Sequence, residues 1–470
     1  MSAWLSRKVS SLALNEIVGN DEQKQAMKDL QNEFEVTTDK LRTIVNQFIA
    51  EMKKGLEHNG ATVAMIPSYV TGRPTGMETG TYLAIDLGGT NLRVCQVSLN
   101  GNGEVSIQQQ KYRVPEPLKV GEMRALCDFI SDCIDSFLTE MGTDPMEQVL
   151  QLGFTFSFPV NLTAINRGNL MQWTKGFACA GAIGKDPALM LQDSLRRKNL
   201  KVRVAAIVND TVGTLMAHAY RDRSTFMGII FGTGTNAAYY ERMDRIPKWE
   251  GGQTKGDEMV INMEWGAFDD ERRVLPVTVH DNKLDRESIN PRFHIYEKLI
   301  SGMYLGEIVR NVALSLIDRF LLFNGFSSAE FNKQWSFETA YMSTIEIDAS
   351  SDLDETKRVL ESILGITKTT LADRQMVKTI CHLVGVRAAR LSAAGVAAVM
   401  SHCDLLQKDC CTAAVDGSVV EFYPNFSETM TKALKELFGE DVDKKIKFAP
   451  SRDGSGLGAA VIAMQVSKGM

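Results

Sequence analysis

A glycine-rich turn within TYLAIDLGGTNLRVCQVSL, at 81–99, carries residue types that suit phosphate chemistry. The turn and its flanks contain Asp86, Gly88, Gly89, Thr90, Asn91 and Arg93. Glycines let backbone N–H groups approach an anion, and successive N–H groups form an anion-binding nest. The hydroxyl and amide add donors, the arginine adds positive charge, and the carboxylate can order the water shell of a magnesium ion. The turn is therefore a candidate phosphate and magnesium site, although Gly-Gly is also common in ordinary hairpins.

A second turn repeats part of this pattern. LGGTN at 87–91 and GTGTN at 232–236 share Gly-Thr-Asn, and each lies between two apolar segments that are predicted strands. The shared setting predicts two related halves, each with a glycine-rich hairpin. A cleft between two such halves is a natural place for a polyphosphate.

Other phosphate-binding motifs are missing from the sequence or incomplete. There is no G-x-x-x-x-G-K-[ST] and no H-R-D with D-F-G, so neither a P-loop protein nor a protein kinase is supported. The segment 454–459 reads G-x-G-x-x-A after a predicted strand. The chain that follows it, to residue 470, is too short for the rest of a dinucleotide-binding βαβ unit. We predict instead a helix start that packs near a nucleotide.

A second group of polar residues follows predicted strands or lies close to them. The group comprises Ser157, Thr174, Lys175, Asn209, Asp210, Asn236, Glu264 and Glu297. Taken singly, Asn209 and Asp210 could cap a helix, and Glu264 and Glu297 could be solvated acids. Taken together, carboxylates and amides suit a polyhydroxylated ligand. Such a site discriminates strongly, because a missing hydroxyl leaves buried groups unpaired.

Hydrophobic periodicity predicts the elements that position these residues. An amphipathic helix spans 38–60, with Thr38 able to cap its start and Gly60 able to end it. Further helices are predicted at 126–141, 294–324 and 374–400, and strands at 82–99, 149–158, 202–208, 226–232 and onward through Tyr240. Strands alternate with helices, so the predicted class is α/β.

The composition excludes several classes of function. A chain of 470 residues exceeds one ordinary core, so two domains are expected. The net charge of -6 argues against a nucleic-acid binder, and no apolar run approaches the roughly 18 residues that cross a bilayer. Eight cysteines without C-x-x-C predict free, mostly buried thiols in a reducing compartment, and the lack of H-E-x-x-H leaves a catalytic zinc site unsupported. Residues 1–17 predict a frayed terminus, with a short amphipathic docking helix as the alternative.

The chain resembles the eukaryotic hexokinase family in nine ordered motifs between residues 83 and 460. These motifs are LAIDLGGTNLRV, LGFTFSFPV, WTKGF, VNDTVGTL, FGTGTNAAY, INMEWGAF, SGMYLGEIVR, VDGSVVEFYPNF and DGSGLGAA. The resemblance implies one catalytic unit with an actin-like, ribonuclease H-like fold in two lobes. The small lobe would comprise 78–210 and 447–470, and the large lobe would comprise 1–77 and 211–446.

The resemblance also implies ATP-dependent phosphorylation of the 6-hydroxyl of glucose and related hexoses. The second polar group would hold the sugar, and the first turn, with Thr233, would hold the phosphates of ATP and Mg2+. The metal would have no direct protein ligand and would be reached by Asp86 through water. The adenosine side would comprise Ser343, Asp416, Gly417 and Ser418. Asp210 would act as the general base, and Lys175, Arg93 and Mg2+ would stabilise the transferring phosphoryl group as the lobes close and expel water.

The sequence departs from the pattern of the family at two places, and it leaves several alternative functions open. Leu457 stands where many hexokinases have a polar or basic residue, and 267–290 differs from the usual loop after EWGAF. A kinase of the same fold that prefers another hexose is one alternative, and a non-catalytic sugar sensor or scaffold is another. An actin-like or heat-shock ATPase fits less well, because the sugar-side residues are present. We expect a cytoplasmic protein, either a monomer or a homo-oligomer, with membrane or organelle association through the N-terminus left open.

Overall fold

The computed structural model describes residues 17–143, 149–173, 176–252, 254, 256–408, 410–451 and 454–469. Its strands are β1 (Ile66–Thr71), β2 (Thr79–Leu87), β3 (Asn91–Gly101), β4 (Glu104–Arg113), β5 (Leu150–Phe156), β6 (Val160–Ala164), β7 (Arg167–Leu170), β8 (Val202–Val208), β9 (Thr225–Phe231), β10 (Thr235–Arg242), β11 (Glu258–Asn262), β12 (Cys411–Asp416) and β13 (Ile446–Pro450). Its α-helices are α1 (Asp21–Phe34), α2 (Thr38–Glu57), α3 (Glu116–Val120), α4 (Met123–Glu140), α5 (Pro187–Arg197), α6 (Asp210–Arg221), α7 (Val279–Glu287), α8 (Ile295–Ile300), α9 (Leu305–Asp318), α10 (Ala329–Asn332), α11 (Thr339–Ile347), α12 (Asp354–Lys357), α13 (Leu371–His402), α14 (Ser418–Phe422), α15 (Phe426–Phe438), α16 (Val442–Lys445) and α17 (Gly454–Ser467). The predicted α/β class is confirmed.

Two mixed sheets share one strand plan. The five-stranded sheet has the order β4-β3-β2-β5-β8, in which β2, β3 and β4 are antiparallel and β5 and β8 continue parallel to β2. The six-stranded sheet has the order β1-β11-β10-β9-β12-β13. Its β9, β10 and β11 are antiparallel, β12 and β13 continue parallel to β9, and β1 adds an antiparallel edge. The repeated plan agrees with the two related halves that the Gly-Thr-Asn repeat predicts.

Helices α6 and α17 pack against each other between the two sheets. Both helices and both sheets contribute side chains to the core cluster there. A Cβ atom at Gly458 would lie 1.9 Å from the carbonyl oxygen of Gly213, and one at Gly153 would lie 2.1 Å from that of Ala459. Only glycine permits approaches this close. The two lobes therefore meet on a tightly packed pair of helices.

The predicted lobe boundary at 447 does not follow the strand pairing. Strand β13 (Ile446–Pro450) is hydrogen-bonded to β12 in the six-stranded sheet, so it is part of the large-lobe sheet. Helix α17, by contrast, packs against β2 and β5 of the small lobe. The boundary lies between β13 and α17, because a parallel strand continues the large sheet before the chain crosses over.

Helix α2 confirms the amphipathic pattern predicted for 38–60. Its buried stripe comprises Leu41, Ile44, Val45, Phe48, Met52 and Leu56. The cap is Thr37 rather than Thr38, because Thr37 has an extended backbone and its hydroxyl accepts from Lys40 N at 3.3 Å. The helix ends at Glu57, before the predicted Gly60.

The single helix predicted for 294–324 is wrong. The chain forms α8 and α9, separated at 301–304. In this interval Gly302 N donates to Gly232 O at 2.8 Å and Met303 N donates to Thr233 O at 3.1 Å. These bonds to the second glycine-rich hairpin replace helical ones, so a contact distant in sequence overrides the local periodicity.

Helix α13 is long and apolar enough, by length and composition alone, to cross a membrane. Its most apolar window is 83% buried in the structure, against helices that include α2, α9 and α15. This is the environment of a core helix in a large lobe. The eight cysteines are free thiols and six of them are buried, which confirms that part of the prediction.

Candidate active site

Three polar side chains from separate elements meet on the large-lobe side of the cleft. Asn236 follows the second glycine-rich turn in β10, and its Nδ2 donates to Glu264 Oε1 at 3.1 Å. Glu297, in α8, accepts from Thr235 N through Oε2 at 2.9 Å. The structure thus brings together three of the residues that the sequence assigns to a polyhydroxylated ligand.

Glycine in the second turn makes room for the Glu297 carboxylate. A Cβ atom at Gly234 would lie 2.6 Å from Glu297 Oε2, and one at Gly266 would lie 3.2 Å from Glu297 Cβ. Any larger residue at Gly234 would displace the carboxylate from Thr235 N. The second hairpin therefore positions the Glu297 carboxylate of α8.

Glu264 has both a strained backbone and a shifted pKa. Its backbone has a φ of 53°, in the left-handed region that non-glycine residues seldom adopt. Burial raises the pKa of Glu264, and the nearby charges of Asp210 and Glu297 raise it further, while the Asn262 hydrogen bond and His294 oppose the rise. Strain and a shifted pKa in one cleft residue are typical of a functional site.

His294 precedes α8 and contacts the same group of acids. Its Nδ1 lies 3.4 Å from Glu297 Oε1, and the hydrogen bond to Glu297 raises the pKa of His294. Its backbone is also left-handed, with a φ of 59°. Sequence reasoning missed this residue, and its only signal was the spacing H-x-x-E at the start of a helix.

Asn209 and Asp210 lie where β8 ends and α6 begins. Asn209 is the cap of α6, since its Oδ1 accepts from Thr211 N at 2.9 Å and from Thr211 Oγ1 at 2.6 Å. The capping interpretation of Asn209 is therefore correct, and the cap also holds the first turn of the helix in place. Asp210 opens the helix, half-buried, near enough to Glu264 to influence its pKa.

A small cavity joins these residues to the small lobe. Asn209, Asn262 and Glu264 line it together with Phe156 and Phe158. Ser157 lies between these two phenylalanines, half-buried, directly after β5. The two lobes thus contribute to one cavity at the inner end of the cleft.

Thr174 and Lys175 lie outside the described residues, so their predicted roles stay predictions. The residues around them are part of an aromatic cluster. The Phe158 ring centroid lies 4.9 Å from that of Trp173 and 5.2 Å from that of Phe177. The chain on both sides of the Thr-Lys pair is therefore anchored beside Ser157.

The first glycine-rich hairpin lies between β2 and β3, with Asp86 directly opposite Arg93. Gly88 N donates to Asn91 O at 3.0 Å, so this N–H closes the turn. Thr90 is exposed at the tip, and Gly89 beside it is half-buried. The turn presents a carboxylate, a guanidinium and a hydroxyl at one end of the small-lobe sheet.

The start of α17 packs onto this hairpin. Ser455 Oγ donates to Asp86 Oδ2 at 2.8 Å, and Thr155 Oγ1 donates to the Ser455 carbonyl at 3.0 Å. The helix start predicted for 454–459 is confirmed, and Leu457 is buried, at 1% exposed. Ser455 was not among the predicted site residues, and only the G-x-G-x-x-A pattern marked it.

A larger cavity of about 450 Å³ opens on the large lobe beside the second turn. It brings together Thr233, Ser343 and Ser418, three of the residues predicted for the phosphate and adenosine side. Its walls also include Trp335, Phe337, Phe422 and Tyr423. The aromatic wall was not predicted, because an isolated Trp or Phe in a loop has no distinctive sequence pattern.

Asp416 and Gly417 border this cavity without lining it. Asp416 is the last residue of β12, Gly417 lies between β12 and α14, and Gly417 N donates to the Asp416 side chain at 2.7 Å. Gly417 has a φ of 119°, and a Cβ atom there would lie 2.3 Å from Phe231 O. Glycine is therefore required to bring β12 against the end of β9, next to the second turn.

Proteins similar to this chain extend over nearly its whole length. Two family models, both described as hexokinase, match residues 26–220 and 226–465. Hexokinase-1 of Schizosaccharomyces pombe is 41% identical over 466 residues, which cover 99% of this chain and 94% of that protein. Glucokinase of Aspergillus niger is 42% identical over an alignment of 474 positions, which covers 93% of this chain and 96% of that protein.

A solved structure shows the same arrangement. The hexokinase of Schistosoma mansoni, in complex with glucose, matches with a TM-score of 0.85 and 35% identity. The match covers 94% of this chain and 99% of the other. Two lobes with a repeated sheet plan and a polar cleft define a sugar kinase of the actin-like, ribonuclease H-like fold. Within that class, the chain belongs to the hexokinase family.

Proposed function

We propose that the protein transfers the γ-phosphoryl group of MgATP to the 6-hydroxyl of glucose and related hexoses. The observation that carries this proposal is the group of Asn236, Glu264 and Glu297 on the large lobe. Asn236 donates to Glu264, Glu297 accepts from Thr235 N, and Glu264 lines the same small cavity as Asn209. The similarity to a hexokinase solved with glucose supports the same choice of substrate.

The sugar end of the cleft offers carboxylates and amides to a ligand rich in hydroxyls. Glu264 and Glu297 accept hydrogen bonds from hydroxyls, and the Asn209 and Asn236 amides, with Ser157, add further polar contacts. Thr174 and Lys175, which the sequence also predicts to hold the sugar, would complete this set. Because these groups are partly buried, a ligand that lacks one hydroxyl leaves a polar atom unpaired, which costs about 1–3 kcal/mol.

Asp210 acts as the general base in this proposal. Its carboxylate stands at the start of α6, in a turn that the Asn209 cap holds rigid. It accepts the proton of the 6-hydroxyl as that oxygen attacks the phosphorus. A positioned base of this kind contributes about 10²–10⁴ in rate.

The nucleotide end fits a magnesium polyphosphate. Asp86, fixed by Ser455, offers the hard oxygen that magnesium prefers, acting through water. Among the described residues, no three His, Cys, Asp or Glu side chains lie together as a metal-binding group. MgATP supplies the phosphoryl group, and its magnesium neutralises negative charge. Arg93 stabilises the charge on the transferred phosphoryl group, and Lys175 is predicted to do the same.

The adenosine part of ATP fits the larger cavity. Its aromatic wall suits a planar base, and Ser343, Ser418 and Thr233 add hydroxyls. Asp416 and Gly417 are next to this cavity, where β12 ends. Closure of the two lobes around the sugar would then exclude water from the transfer.

We propose a cytoplasmic location as well. The eight free cysteines support a reducing compartment. The oligomeric state is left between a monomer and a homo-oligomer, and the substrates are the small molecules named above.

The first test is steady-state turnover with MgATP across glucose, fructose, mannose and glucosamine, with sugar phosphate and ADP measured in parallel. We expect one ADP per hexose 6-phosphate, with ADP release that depends on the sugar. Glucose binding without turnover would favour the sensor alternative. A higher kcat/KM for another hexose would change the substrate and keep the reaction.

A further inference from the structure

Asn262, the last residue of β11, contacts two of the residues that we propose hold the hexose. Its Oδ1 accepts from Asn236 Nδ2 at 2.8 Å, and its Nδ2 donates to Glu264 Oε1 at 2.8 Å. Asn236 Nδ2 also donates to Glu264 Oε1, so the three side chains close a triangle. Asn262 is only 8% exposed and lies in the wall of the inner cavity.

The triangle permits one orientation of the Asn262 amide. If that amide were rotated by half a turn, its NH2 group would face the NH2 group of Asn236. Its carbonyl oxygen would then face the carboxylate of Glu264. With donor against donor and acceptor against acceptor, the buried Asn262 amide would lose both of these bonds, at about 1–3 kcal/mol for each unsatisfied group. The orientation of Asn262 is therefore fixed by chemistry.

The Asn236 amide is fixed by the same bonds and by one more. Ala237 N donates to Asn236 Oδ1 at 2.7 Å, so the carbonyl side of the amide points toward the chain of β10. Both hydrogens of its NH2 group point to Asn262 and Glu264. A carbonyl oxygen has two lone pairs, so Asn236 Oδ1 can still accept from a sugar hydroxyl.

The triangle also determines how Glu264 meets a ligand. Its Oε1 accepts both amide N–H groups, while its Oε2 takes part in neither bond. Burial and neighbouring acids raise the pKa of Glu264, and the bond from Asn262 opposes this rise. Asn262 therefore helps to keep a buried carboxylate charged, with one oxygen left for a hydroxyl.

We propose that Asn262 is a positioning residue for hexose binding, which acts by orienting the Asn236 amide and holding Glu264 as an ionised acceptor. The proposal rests on the proposed function, because the triangle affects activity only if Asn236 and Glu264 bind the sugar. Within the part of the chain that the structure describes, the side-chain hydrogen bonds of Asn262 go to Asn236 and Glu264, so we expect its effect to be confined to the hexose.

The test is Asn262→Asp, which keeps the size and the acceptor toward Asn236 but replaces the donor toward Glu264 with an acceptor. At pH 8 we expect Kd and KM for glucose to rise about 10- to 100-fold, while KM for ATP and kcat stay within a factor of about three. Calorimetric titration gives Kd, and steady-state kinetics gives KM and kcat.

The pH profile separates a positioning role from a merely structural one. Two facing carboxyl groups share a proton as the pH falls, and the protonated partner is again a donor. The glucose deficit of Asn262→Asp should therefore shrink at pH 5.5, compared with the wild type at the same pH. A deficit caused by general loosening of the lobe has no reason to recover on acidification.

The matched control is Asn311→Asp, which makes the same chemical change at another buried asparagine of the large lobe. Asn311 is 2% exposed and contacts Lys283 Nζ and His280 O, away from the cleft. Its Kd for glucose should equal that of the wild type. The second variant is Asn262→Ser, which removes the amide without adding charge and should raise Kd for glucose with no recovery at pH 5.5.

Several results would overturn the proposal. These are a wild-type Kd for glucose in Asn262→Asp at pH 8, an equal deficit at both pH values, or an equal loss of affinity for ATP. If Asn262→Asp does not fold, a wild-type Kd in Asn262→Ser overturns it. If the wild-type protein neither binds nor phosphorylates any hexose, the proposed function itself fails, and the role of Asn262 fails with it.

Discussion

The two glycine-rich hairpins share the Gly-Thr-Asn triplet, yet they have different neighbours. In each hairpin a glycine N–H closes the turn at 3.0 Å, from Gly88 to Asn91 O and from Gly232 to Gly234 O. Each turn joins two adjacent antiparallel strands of its sheet, β2 and β3 in one lobe and β9 and β10 in the other. The shared triplet alone would give the two turns one role.

The difference lies in the helix that packs on each turn. The first turn receives α17, whose Ser455 bonds to Asp86 at the end of β2. The second receives α8, whose Glu297 carboxylate occupies the space above Gly234 and bonds to Thr235 N. The first therefore gathers groups suited to magnesium and phosphate, and the second gathers an acid suited to a hydroxyl. The helices that pack on a repeated motif, rather than the motif itself, determine the chemistry.

Asp210→Ala should give the largest effect, because it removes the group that we propose as the general base. We expect turnover to fall by about 10²–10⁴, while Kd for glucose stays within about fivefold of the wild type. Asp210→Asn is the matched control for shape and should lose a similar amount of turnover. Near-normal kcat in either variant would reject Asp210 as the base.

Arg93→Ala tests the first hairpin. The loss of a guanidinium from the proposed phosphate site should lower kcat/KM for ATP by about 10²-fold, with little change in Kd for glucose. Arg93→Lys, which keeps the charge but not the fork, should recover part of the loss. A defect confined to the sugar would place this hairpin at the wrong end of the cleft.

Gly234→Ala and Gly89→Ala make the same substitution at the first residue of the Gly-Thr-Asn triplet in each hairpin. At Gly234 the new methyl group meets the flexible end of Glu297, so the carboxylate moves and the fold survives. We expect KM for glucose to rise about tenfold in Gly234→Ala, with KM for ATP nearly unchanged. Gly89→Ala should show the reverse, and identical profiles for the two variants would contradict the division of roles.

The sequence predicted these hairpins and the strands around them because the signals are local. Apolar alternation marks the strands, and Gly-Thr-Asn marks the turns. The strand at 202–208 and the start of the helix after it are found where the residues place them. The polar groups that end these strands come together because parallel strands end at one edge of each sheet.

The remaining features depend on contacts that no local pattern contains. The break between α8 and α9 depends on Gly302 reaching Gly232, and the Ser455–Asp86 bond joins residues 369 positions apart. The aromatic wall around Trp335 comes from loops with no periodicity. Asn262 looked like an ordinary strand residue within INMEW, and only the fold shows it between Asn236 and Glu264.

His294→Gln should give the smallest effect and extends the comparison to pH, since the first hairpin has no histidine in its sequence. The bond to Glu297 raises the pKa of His294 above its ordinary value of 6.5. A raised pKa in the folded state means that the charged pair stabilises the protein fully below about pH 6.5 and that this contribution is lost as the pH rises through the raised value. The side chain is 41% exposed, so solvent screening keeps the contribution below about 1 kcal/mol.

The variant should therefore have a lower melting temperature than the wild type at pH 6 and an equal one at pH 9. The control is His58→Gln, because His58 is 73% exposed and lies 3.9 Å from Glu57 at the end of α2. It should leave the melting temperature unchanged at both pH values. A loss of stability in His294→Gln that is the same at pH 6 and pH 9 would show that His294 acts through packing, and the second hairpin would then have no titrating partner beyond its acids.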